Sequence, residues 1–87
     1  MTAWIQAYVE FFLVENWKEG RSLYLRQIMR ELDPEGAGYP DAGTLRKELE
    51  DLVFQGNLIK NPKRIVDKNG KARRVVCYEP TPKLMRT

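Results

Sequence analysis

The sequence predicts an α+β domain of three helices closed by a C-terminal β-hairpin. Two stretches carry that expectation. From Asp41 to Gln55, Leu45, Leu49, Leu52 and Val53 recur at helical spacing between a capping aspartate and Gly56, a residue suited to a left-handed helix end. Beyond Asn57 the chain turns β-prone, and Asn69-Gly70 stands between two such runs, the strongest short-range hairpin signal. No internal repeat and no linker-like break divides the 87 residues. Residues 1–79 therefore read as one domain and residues 80–87 as an extended tail.

In chain order, Thr2 is placed to cap a first helix running from about Ala3 to Lys18 and closed by Gly20. Steps of 100° set Trp4, Ile5, Tyr8, Phe11 and Phe12 on one face, expected to be core. The opposite side carries Val9, Leu13 and Trp17, so a second covered surface is expected there, supplied by the tail or by a second copy across a two-fold axis. Arg21 to Tyr24 reads as a short strand able to pair with the later hairpin. Leu25 to Leu32 gives a second helix with Leu25, Ile28, Met29 and Leu32 inward and Arg26 and Arg30 four apart on its outer face. Asp33-Pro34 ends that helix, because proline removes an amide and restricts the residue before it. A glycine-bearing loop, Glu35 to Pro40, leads into the third helix, 41–55. The hairpin enters through Asn57 to Lys60, turns at Lys68 to Lys71 with both central residues expected at positive φ, and returns through Arg73 to Tyr78.

Charge is divided unevenly. Residues 1–56 hold 6 Lys/Arg against 10 Asp/Glu, net −4, whereas residues 57–87 hold 9 against 2, net +7. A basic hairpin of this kind suits a polyanionic partner. No apolar run approaches the roughly 18 residues of a membrane span, and Gln6 and Glu10 interrupt the region where a secretory signal would be apolar. The single cysteine, Cys77, excludes an internal disulfide, fits a reducing cytoplasm and reads as a buried structural thiol. Catalysis is not expected: there is no histidine, no phosphate-binding loop, no dinucleotide turn and no paired-cysteine metal spacing. No cofactor or metal is expected either.

The order helix, short strand, helix, helix, two-stranded wing, carried by Leu25 to Leu32, by Thr44-Leu45-Arg46-Lys47-Glu48-Leu49 with Leu52, and by Gly56-Asn57-Leu58-Ile59, resembles the winged helix-turn-helix superfamily over roughly Thr2 to Tyr78. The resemblance implies a small bacterial or phage-type regulator that binds double-stranded DNA, cytoplasmic and nucleoid-associated, or acting in the host cytoplasm if phage-encoded. It implies that helix 41–55 enters the major groove, with Arg46 on a guanine edge and Tyr39, Thr44 and Lys47 on phosphates or bases. The wing, 60–76, would follow the backbone through Lys63, Arg64, Lys68, Lys71, Arg73 and Arg74. If about four of these neutralise phosphates, log K falls with log salt at a slope of roughly −3.6. A homodimer would form through Val9, Leu13 and Trp17. The alternative is a winged-helix module that binds a host protein or nucleoprotein complex, motivated by Glu48, Glu50 and Asp51, which leave the third helix net negative beside Arg46 and Lys47.

Overall fold

The computed structural model describes residues 3–86, so the expected cap at Thr2 lies outside the described residues. The chain is α+β: α1 (Ala3–Lys18), β1 (Leu23–Tyr24), α2 (Leu25–Leu32), α3 (Ala42–Phe54), β2 (Leu58–Val66), β3 (Ala72–Pro80) and α4 (Pro82–Met85). Four helices pack with one three-stranded antiparallel sheet in the order β1-β3-β2. Pairing runs from Leu58↔Pro80 to Val66↔Ala72 in the hairpin, and Leu23↔Tyr78 joins β1 to β3. Pro62, which cannot donate to a ladder, lies in β2, an edge strand. Among the described residues no helix is long and apolar enough to cross a membrane.

The ends of α3 follow local chemistry. Asp41 Oδ1 accepts the Thr44 amide at 2.7 Å, satisfying a first-turn donor. At the other end Gly56, at φ +81°, lets its own amide reach Val53 O and the Asn57 amide reach Leu52 O, closing off the last carbonyls. Leu45, Leu49 and Leu52 are fully buried from this helix, with Ile28 from α2, and Leu25, Met29, Leu32 and Val53 pack against the same cluster.

α1 turns a different face inward from the one expected. Ile5, Val9 and Leu13 form its buried seam at 0–1% exposure, while Trp4, Tyr8 and Phe11 stand 41–59% exposed. The helix is apolar nearly all round, so periodicity does not select a face. Polar contacts flanking the seam fix the rotation: Gln6 donates to Glu48 Oε1 at 3.0 Å and Asp51 Oδ2 at 2.8 Å, and Glu10 accepts from Asn57 at 3.0 Å. Val9 and Leu13 are therefore spent inside the chain, and the dimer surface expected from them is not available; Trp17 alone of that trio remains partly exposed.

Two further corrections concern the hairpin and the tail. The turn is not type I′, because Asn69, like every other non-glycine among the described residues, lacks a positive φ. Instead Asp67 and Lys71 bracket three residues, with Gly70 at φ +78°, the Gly70 amide on Asp67 O and the Asp67 amide on Lys71 O. That is the type I turn with a glycine bulge. Asp67 Oδ1 accepts both the Asn69 and Lys71 amides at 2.9 Å, which favours this arrangement over the two-residue loop. Residues 80–86 do not form the extended tail expected for 80–87. β3 continues to Pro80, Thr81 donates to Gly56 O at 2.6 Å and caps α4, and Leu84 enters the core at 7% exposure.

Candidate nucleic-acid interface

Register decides which basic residues share a side of the hairpin. In an antiparallel pair, directly opposed residues point the same way and alternate along the strand. Leu58, Tyr78 and Pro80 face the core, so Lys60, Arg64 and Arg74 lie on that same side of the sheet. Arg64 stands directly opposite Arg74. Like charges so placed repel, and among the described residues neither has an ion-pair partner.

Lys63 points to the other side. Its Nζ donates to Ser22 Oγ at 2.8 Å and lies 3.5 Å from Glu79 Oε2, a carboxylate only 8% exposed that also accepts from Asn61 at 3.0 Å. Lys63 therefore pairs with a buried acid, on the side of the sheet away from Arg64 and Arg74. Tyr39 is exposed, with its ring 6.3 Å from that of Trp4 in α1. Thr44 is half-buried at the start of α3, and Lys47 is exposed.

A cleft of about 400 Å³ opens between α2, α3 and the hairpin; Arg26, Arg46, Lys60 and Arg73 line it with Tyr24, Val76 and Tyr78. A second hollow shares Leu25, Arg26 and Arg46 with the first and adds Arg30 and Ala42. A third is lined by Lys63, Arg64, Arg73 and Arg74. Arg26, Arg46 and Lys60 thus cluster in the cleft with Arg30 beside them, and Arg64 and Arg74 stand further along the same side of the hairpin, whereas Arg73, opposite Ile65, is turned by register to the Lys63 side. Lys68 and Lys71 are exposed at the turn. Arg26, Arg30 and Lys60 were not among the expected contacts, although the i,i+4 arginine pair on the outer face of α2 was a visible signal.

The carboxylates of α3 do not oppose this cluster. Glu48 is buried at 8% and bonded to Gln6. Asp51 accepts from Gln6 and from Gln55 at 2.9 Å on the α1 side. Glu50 does reach the cleft, where both its oxygens lie 3.1 Å from Lys60 Nζ. Glu50 thus takes its partner from β2. Nearby, Asp33 is occupied by the Ala37 and Gly38 amides, each at 2.8 Å. Hydrogen bonding from Thr44 holds the Asp41 carboxyl below the usual carboxylate range. Burial pushes the Tyr78 phenol up and the Glu50 charge adds to this, against the opposing pull of Lys60 and Arg46.

Comparison with family models, curated proteins and solved structures finds no match to this chain in any of the three.

Proposed function

We propose that the chain is a winged helix-turn-helix module that binds duplex DNA and acts as a transcriptional regulator. The helix–strand–helix–helix–strand–strand order, and the pairing of β1 with the hairpin, support the reading. The observation that carries the reading is the arginine path along the α2–α3 cleft, Arg30, Arg26 and Arg46 with Lys60, from which every α3 carboxylate is turned away or paired. A helix pressed into the major groove passes phosphates on both sides, so free carboxylates there would cost affinity.

In this reading α3 enters the groove by its N-terminal half. Gly43 and the half-buried Ala42 permit close approach, and Arg46 offers a two-pronged donor to a guanine edge. Arg26 and Arg30 hold the phosphates on one side, with Thr44 and Lys47 beside them. Arg64, Arg74, Lys68 and Lys71 hold the backbone along the wing.

Fluorescence titration against a random-sequence duplex tests this. With about five phosphates neutralised, log K falls against log salt with a slope near −4.5. Arg46→Gln and Arg74→Gln each reduce the slope or the affinity. No binding at low salt, where the attraction is strongest, ends the proposal.

A further inference from the structure

The rotation of α1 leaves an aromatic surface that DNA binding does not use. Trp4 and Tyr8 meet edge to face, with ring centroids 6.0 Å apart and planes at 77°, and Tyr8 stacks on Phe12 at 6.0 Å and 28°. These three rings, with Glu31 and Leu32 of α2, line a groove of about 270 Å³. Glu31 is exposed and, among the described residues, has no ion-pair partner. Tyr39 extends the aromatic surface past Trp4.

We propose that this groove docks a cationic side chain, arginine or lysine, on a peptide segment of a partner protein. Ring faces attract a cation through their quadrupole, and the carboxylate at the groove edge supplies the opposite charge. Phosphates are disfavoured by that same carboxylate, which separates this surface from the arginine path. Size argues against a second copy of the chain. Trp4, Tyr8, Phe11 and Tyr39 are 41%, 53%, 59% and 54% exposed. At about 150–250 Å² per aromatic side chain, these four offer roughly 300–500 Å². A stable specific interface needs about 800 Å² per partner. The surface fits a short segment and falls short of a dimer.

The test uses the full chain with Trp17→Phe, leaving Trp4 as the fluorophore, and the probe peptide Arg-Gly-Arg-Gly-Arg-Gly. Saturable quenching is expected. Replacing arginine by neutral citrulline, or the protein by its Tyr8→Ala or Glu31→Gln variant, weakens binding about two- to fivefold each. Equal binding of the citrulline peptide, or indifference to both substitutions, overturns the proposal. So does a dimer in sedimentation that Tyr8→Ala dissolves, since a second copy would then own the groove. Both side chains lie off the arginine path, so duplex affinity stays unchanged in these variants and reports on the DNA reading separately.

Discussion

Replacing Glu50 by glutamine isolates the one acidic group that reaches the cationic cleft. Its carboxylate sits 3.1 Å from Lys60 Nζ through both oxygens, and the two side chains are 46% and 44% exposed. An ion pair so open to solvent contributes only about 0.2–1 kcal/mol, so the variant folds with nearly unchanged stability. Its effect on binding is larger. Lys60 is released to neutralise a phosphate, and one more phosphate contact steepens the salt slope by about 0.9. At about 0.1 M salt that is close to one decade, or roughly eightfold tighter binding, shrinking to about fourfold at 0.2 M. The assay is a titration of a random-sequence duplex across 50–300 mM salt, because random sequence removes any base that Glu50 itself might read. Unchanged affinity with an unchanged slope refutes the reasoning: Lys60 would then lie off the bound duplex, and the cleft would not be the contact surface.

Three other outcomes follow from the same geometry. Lys63→Met leaves the salt slope unaltered but lowers stability by about 1–2 kcal/mol, because it strips a partner from the buried Glu79 carboxylate; Arg64→Gln and Arg74→Gln do the reverse, flattening the slope by about 0.9 each without loss of stability. Leu84→Ala costs about 2–4 kcal/mol, read as a fall in Tm of 10 °C or more, since this residue fills the core despite lying beyond the predicted hairpin. Asp41 has a depressed carboxyl in the folded chain, so its stabilising contribution is present above its unfolded pKa and fades as pH falls through the lower folded one. Protection of the Thr44 amide, relative to its intrinsic exchange rate at each pH, therefore falls below about pH 4, and Asp41→Ala lacks that protection at neutral pH.

The elements that announced themselves in the sequence did so through neighbours a few residues apart. Asp41 finds its donor three positions on, and Gly56 ends the helix it follows. Leu45, Leu49 and Leu52 need only the helical period to share a face. The same holds for α2, whose short amphipathic pattern left one possible orientation. Asn69-Gly70 marked the turn, but its geometry was set by Asp67, two residues earlier, accepting two turn amides that a two-residue loop would not present to it.

Tertiary structure decided whatever required a distant partner. α1 offers apolar side chains around most of its circumference, and its rotation came from Gln6 meeting Glu48 and Asp51, 42 and 45 residues away. That contact buried Val9 and Leu13, exposed the aromatic rings, and turned two of the three α3 carboxylates off the cationic path. Pairing register, which two apolar-faced strands leave undetermined, sent Lys63 to Glu79 and set Arg64 opposite Arg74. Local spacing determines where helices and turns form because their hydrogen bonds close within a few residues. The sign of the charge on each face is a sum over contacts that only the folded chain brings together.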